Sequence, residues 1–206
     1  MPSRKAGIIP AFLFCKGMQM SKWKYASIDI ETLGLDSDFC DTIEFGAVLD
    51  DFKTPIEELP RFHCYLTKPM NRYQGEAYAM WMNAQIIERI ALRTEGYVYM
   101  PGDCLDECFS NWVKEQGIED KLVLAGKNLG TFDLKFLSKL DFGKHTRYHH
   151  RTLDPTTCFY DPAIDDVPPD LKECLKRAGI EKNIEHTAIA DAIDVIHCIR
   201  YSKQFV

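Results

Sequence analysis

The sequence lacks several features that mark common classes of protein. It has no apolar run of the roughly 20 residues that a membrane-spanning helix needs, and no internal repeat or Gly/Ser-rich linker divides its 206 residues. It also lacks an excess of basic residues, because 25 Lys and Arg stand against 31 Asp and Glu, for a net charge of −6. We therefore expect no membrane association and no broad basic surface for nucleic acid.

The eight cysteines include no Cys-x-x-Cys pair, so their spacing does not indicate a zinc site. Several lie in apolar runs, Cys108 and Cys198 among them, where a reduced thiol packs as a small hydrophobe. We expect eight free thiols and a cytoplasmic protein.

The N-terminus resembles a secretory signal only in part. A basic start leads into the apolar run IIPAFLF, which contains Pro10 and ends without a small-residue cleavage site. We expect residues 1–22 to be an N-terminal extension, disordered or loosely docked, and residues 23–206 to form a single domain.

Strand and helix patterns alternate along that domain. Alternating and β-branched residues predict strands at 24–31, 42–50 and 61–66, and their short connections favour an antiparallel meander. Later segments predict a buried strand at 121–126 and a short strand near 151–154. Together with the helices between them, these strands predict an α/β fold with a mixed sheet.

The predicted helices show apolar residues at helical spacing. They cover residues 85–92, a helix that ends at Gly117, a helix after Thr131 as N-cap, one that Pro168 and Pro169 open, and a final helix from His186 to Ser202. The helix before Gly117 has one apolar stripe of Leu105, Cys108, Phe109, Trp112 and Val113.

The first strand ends in two acidic residues on one face. Asp29 and Glu31 are two positions apart, so their carboxylates point the same way. Like charges about 4 Å apart repel by roughly 4 kcal/mol at an effective dielectric constant near 20, so such a pair needs a cation or a raised pKa. Alone, the pair is more simply explained by one carboxylate facing solvent beyond the strand end, or by Glu31 capping a turn.

Two further segments carry acidic residues. Asp133 enters the first turn of a helix after the buried strand, where the helix dipole alone favours an aspartate. His186 precedes the last helix or lies in its first turn, and Asp191 follows. If the fold brings all three segments together, four carboxylates would suit Mg²⁺ or Mn²⁺, and the histidine would supply a general base.

These motifs, DIETLGL, NLGTFD and HTAIAD, resemble the three motifs of the DEDDh 3′–5′ exonucleases, which have a ribonuclease-H-like fold. The resemblance runs from about Lys24 to Ile199 and implies a mixed five-stranded sheet flanked by helices. It implies that two divalent cations are held by Asp29, Glu31, Asp133 and Asp191, and that His186 is the base. It also implies that Thr32, Leu33 and Asn128 lie near the substrate, with Leu33 against the last base.

The resemblance leaves the substrate open. The leading expectation is hydrolysis of single-stranded DNA from its 3′ end to nucleoside 5′-monophosphates, with Trp81 as a candidate for base stacking and a polymerase or replication protein as a candidate partner. The spacing of Asn128 and Asp133 is closer to oligoribonuclease, which favours an exoribonuclease. The third hypothesis is that the protein is a relative of these nucleases that binds single strands without cutting them.

Overall fold

The computed structural model describes residues 22–181 and 186–203. Except for Lys22, the predicted extension of residues 1–22 lies outside this range. One five-stranded sheet has the order β4-β3-β2-β1-β5. Its strands are β1 (Tyr25–Thr32), β2 (Thr42–Asp50), β3 (Arg61–Thr67), β4 (Tyr99–Pro101) and β5 (Leu124–Ala125).

Seven α-helices surround the sheet in the described part of the chain. They are α1 (Ala77–Met82), α2 (Ala84–Leu92), α3 (Leu105–Glu115), α4 (Asp133–Lys139), α5 (Thr156–Phe159), α6 (Leu171–Arg177) and α7 (Ala188–Lys203). The predicted α/β class with a mixed sheet is confirmed, because β1, β2 and β3 pair antiparallel, whereas β5 pairs parallel to β1 and β4 parallel to β3.

The structure corrects four details of the sequence prediction. The sheet contains a strand that the sequence did not predict, β4 at 99–101. The segment near 151–154, predicted as a strand, forms only an isolated bridge between Leu153 and Ala125. Thr131 is not the N-cap of α4, because the turn at 128–132 delays the helix to Asp133. Cys108 is exposed, since it lies at the border of the α3 stripe. The last helix begins at Ala188 rather than His186.

The sheet has an apolar layer on each face. On one face, Ile28 and Phe45 pack with residues of α3 and α4 in the main core. On the other face, α7 packs Val195 and Ile196 against Tyr25 and Val48. The side chains of β1 alternate between these layers, so the face that carries Asp29 and Glu31 is the face that α7 covers.

Two contacts fix α7 on the sheet. Near its start, Gly46 of β2 lies so close that an added Cβ atom would be 2.6 Å from the carbonyl carbon of Ala188. Near its end, Arg200 Nη2 lies 2.5 Å from Oδ1 of the buried Asp50, and the Tyr25 hydroxyl donates a hydrogen bond of 2.7 Å to Oδ2 of the same carboxylate. The helix therefore lies along β2, with Gly46 at its first turn and Asp50 near its end.

Replacing Gly46 with Ala should loosen this contact. The new methyl group meets backbone atoms, which cannot rotate away, so α7 must shift. Overpacking of this kind costs about 1–3 kcal/mol, and we expect a loss of that size in the free energy of unfolding, measured by urea titration. Gly130→Ala is the control, because a Cβ atom added there would meet only Thr152 Oγ1, at 3.9 Å, and the free energy of unfolding should stay close to that of the wild type.

Within the two described segments of the chain, no helix is long and apolar enough to span a membrane.

Candidate active site

A cleft of about 590 Å³ opens at the carboxyl end of β1. Asp29 and Glu31 reach it from the strand, and Asp191 reaches it from the first turn of α7. Ligand atoms of these three carboxylates all lie within 4.8 Å of one another. The close approach of α7 at Gly46 explains this convergence, because Gly46 pairs directly with Asp29 across the strands.

The fourth predicted carboxylate, Asp133, lines the same cleft but is not part of the 4.8 Å cluster. It is the first residue of α4, and backbone N–H groups of Ile30 and of Asp133 itself donate to its side chain. Asn128 organises the turn before it. This residue has φ of 54°, and its carbonyl oxygen accepts hydrogen bonds from the N–H groups of Thr131 and Phe132.

His186 precedes α7 and lines the cleft with its side chain exposed. Thr187 caps the start of α7, since its Oγ1 accepts a hydrogen bond of 3.3 Å from the Ala190 N–H. The predicted base and four predicted carboxylates therefore share one cleft.

Burial and mutual repulsion make these carboxyl groups weak acids. Burial raises the pKa of Asp29 well above its usual range, and the charges of Asp133 and Asp191 raise it further. The pKa of Glu31 rises to about 8, first through burial and then through the charge of Glu44. Burial raises the pKa of Asp133 to about 7, although two backbone N–H donors and Lys127 oppose the rise.

The residues that the sequence predicts to contact the substrate do not all line the cleft. Leu33 is fully buried against Ile43 and Ile86, so its assignment to the last base is wrong for this structure. From the same turn, Leu35 lines the cleft and is 77% exposed. Thr32 Oγ1 donates within its own turn, to the Gly34 carbonyl.

Trp81 does not line the cleft. It lies on α1, is 70% exposed and faces Tyr78 at a ring-centroid distance of 6.0 Å. Glu76 ties the start of α1 to the turn after β1, because its N–H donates to the Leu33 carbonyl and its carboxylate accepts from the Leu35 N–H. The exposed ring pair is therefore attached to the turn that carries Leu35.

The sequence prediction missed two acidic residues near the site. Asp194 follows Asp191 by one helical turn and lines the cleft. Glu44 lies opposite Glu31 in the pairing of β1 with β2 and is fully buried. The signal for Glu44 was a lone charged residue inside the otherwise apolar strand TIEFGAVL.

The donor set fits hard divalent cations. All the clustered ligand atoms are carboxylate oxygens, which Mg²⁺ and Mn²⁺ prefer, and none of the clustered side chains is the thiolate or imidazole typical of zinc. Three half-buried carboxylates at this separation would be unfavourable as bare anions.

Comparison with known proteins gives structural matches only. No family model and no curated protein matches the sequence. E. coli exonuclease I matches with a TM-score of 0.60 at 15% identity, over 87% of this chain and 40% of that one. Its complex with a dT13 oligonucleotide gives a TM-score of 0.59 at 15% identity, with the same coverage of 87% and 40%. The Mg²⁺- and Mn²⁺-bound form of S. pombe Pop2p gives 0.61 at 12% identity, over 87% of this chain and 82% of that one.

The match thus spans 40% of the length of exonuclease I. Identities of 12–15% show a common fold and leave the chemistry to be argued from the residues. The chain has the ribonuclease-H-like fold that its three motifs predict, and it shares this fold with exonuclease I and Pop2p.

Proposed function

We propose that this chain is a metal-dependent 3′–5′ exonuclease that releases nucleoside 5′-monophosphates from single-stranded DNA. The observation that carries the proposal is the convergence of three carboxylates within 4.8 Å, in a cleft that Asp133 and His186 also line. The DNA-bound form of exonuclease I, which shares the fold, supports a DNA substrate.

Asp29, Glu31, Asp133 and Asp191 would hold two Mg²⁺ or Mn²⁺ ions, and the charges of the other three carboxylates all act on Asp29. When bound, such ions lower the pKa of a bound water and stabilise the negative charge on a leaving oxygen. His186 accepts the proton of the attacking water. The oxygen of this water bonds to phosphorus as the P–O3′ bond breaks, and the released 3′-oxygen takes up a proton.

In this proposal, Leu35 and the Tyr78–Trp81 pair contact the bases of the substrate. Leu35 reaches the cleft from the turn after the catalytic strand, and an exposed leucine there can pack against the terminal base. The exposed rings on α1 offer π faces to the bases upstream, a contact worth about 1–3 kcal/mol per base.

The test is digestion of 5′-labelled single strands with Mg²⁺ or Mn²⁺. A ladder of shortened products on DNA supports the proposal, and no ladder on either DNA or RNA rejects it. An RNA-selective ladder would favour the exoribonuclease alternative, which rests on the Asn128–Asp133 spacing, because discrimination depends on contacts with the 2′-hydroxyl. Binding of the strand without cleavage would favour the non-cleaving reading, and co-purification would test a polymerase partner.

The raised pKa values predict how the metal-free protein responds to pH. The folded-state pKa values of Glu31 and Asp133, about 8 and about 7, exceed their ordinary values of 4.5 and 3.8. The folded chain therefore binds more protons than the unfolded chain between these limits, and the free energy of unfolding falls as pH rises from about 4 to 8. Groups with lowered pKa values, such as Asp165 at about 2, act only at lower pH.

We expect the melting temperature in a chelator to be lower at pH 8 than at pH 5.5, and Mn²⁺ to raise it more at pH 8. Differential scanning calorimetry measures both effects. Asp29→Asn should reduce the pH dependence, because it removes a carboxyl group whose own pKa is raised in the folded state. A metal-free melting temperature that rises between pH 5.5 and 8 would contradict the electrostatics described for the site.

A further inference from the structure

Glu44 is a buried carboxylate that the proposed chemistry does not use. It pairs directly with Glu31 between β1 and β2, so the two side chains share one face of the sheet with Cβ atoms about 5 Å apart. Its side chain is 0% exposed. A further carboxylate, outside the set proposed as ligands, therefore lies next to the acidic cleft.

The two oxygens of Glu44 have different surroundings. Oε1 lies 2.6 Å from Nε2 of His63 on β3, whereas Oε2 is buried without a hydrogen-bond partner among the described residues. Buried carboxylate oxygens normally have partners, because removing them from water is costly. This oxygen belongs to the side chain beside Glu31. Its lack of a partner therefore indicates that the acidic site binds a cation.

His63 is itself held in place. Its ring packs edge-on against Tyr65, at a centroid distance of 4.9 Å and an angle of 81°. The Tyr65 hydroxyl accepts a hydrogen bond of 2.5 Å from Arg89 Nη1 on α2. Contacts thus run from Glu44 through His63 and Tyr65 to Arg89 on α2. These contacts hold the Glu44 side chain in a fixed orientation beside Glu31.

We propose that Glu44, oriented by His63, is a positioning residue of the acidic site that strengthens its hold on a divalent cation. It acts through Glu31 and through the hydrogen-bonded surroundings of the cation, not as a direct ligand. The inference rests on the proposed function, since it requires a cation at this site. Outer groups of this kind typically change metal affinity by about 10–100-fold when they are removed.

Mn²⁺ binding measured by isothermal titration calorimetry, without substrate, tests the inference. Glu44→Gln keeps the shape of the side chain and an acceptor for His63 but removes the charge, and we expect about 10–100-fold weaker binding. Glu88→Gln, which removes the same charge from the exposed side of α2, is the control and should bind as the wild type does. A merely structural role would change the melting temperature of the metal-free protein without changing Mn²⁺ affinity.

Two substitutions at His63 give a second test that leaves the acidic residues intact. His63→Phe keeps the ring packing on Tyr65 but removes the bond to Glu44, and should weaken Mn²⁺ binding. His63→Gln retains a nitrogen donor and should recover part of the affinity.

Wild-type affinity in Glu44→Gln and His63→Phe would overturn this inference and leave the proposed function intact. No Mn²⁺ binding by the wild type would overturn both.

Discussion

Replacing Asp191 with Asn should lower the rate of cleavage by about 10³-fold, equivalent to about 4 kcal/mol. Asp191 contributes one of the three ligand atoms that lie within 4.8 Å of one another, and the amide cannot supply its charge. The fold should persist, because Val195, Ile196 and the Arg200–Asp50 pair hold α7 on the sheet.

Single-turnover kinetics on a 5′-labelled oligonucleotide measures the rate, and fluorescence anisotropy measures strand binding. Strand affinity in the absence of metal should stay within a few-fold of wild type, since Leu35 and the α1 rings are unchanged. Asp120→Asn, at an exposed position before β5, removes the same charge away from the cleft and should cleave normally. An unchanged rate in Asp191→Asn would show that Asp191 is not a ligand.

Replacing His186 with Asn should lower kcat by about 10²–10⁴-fold, the usual range for loss of a general base. The side chain is exposed and precedes α7, so neither packing nor the carboxylate cluster depends on it. Mn²⁺ affinity and KM should therefore stay close to wild type. This separation of kcat from metal affinity distinguishes a base from a ligand.

His150→Asn is the matched control for this substitution. His150 is also exposed and lies two residues after Tyr148, which bridges to Leu122 before the start of β5, whereas the cleft residues Lys127 and Asn128 follow β5. Its replacement should leave kcat unchanged. Loss of Mn²⁺ affinity in His186→Asn would contradict the assignment of His186 as the base.

The parts of the site that the sequence predicts are those set by local geometry. Asp29 and Glu31 share a face because alternate residues of a strand do so, and the cleft confirms this placement. The apolar spacing after His186 predicts the face of α7 that packs on the sheet, where Ala192, Val195 and Ile196 are buried.

The sequence does not predict placements that depend on the pairing of strands or on contacts between distant parts of the chain. Glu44 lies beside Glu31 only because of the register between β1 and β2, and a shift of one residue would turn it to the other face. Gly46 is required by the approach of a helix more than 140 residues later in the chain. Leu33 lies within the motif DIETLGL, yet its side chain is buried in an apolar cluster, and Leu35 of the same motif is the exposed leucine.

The net charge of −6 argues against a broad basic surface but not against binding of nucleic acid at the cleft. Part of it is concentrated in the cleft carboxylates, and two divalent cations would offset the charge of the four proposed ligands. Contact with nucleic acid should then be short, dependent on metal and centred on a strand end, in contrast to binding along a broad basic surface.

The first product released from a 3′-labelled single-stranded DNA is the decisive measurement. With Mg²⁺ or Mn²⁺, we expect the label to appear at once as a nucleoside 5′-monophosphate, and a chelator to abolish its release. Asp191→Asn should release none on the same time scale. Release of longer labelled fragments, or hydrolysis that persists in the chelator, would contradict a metal-dependent exonuclease that starts from the 3′ end.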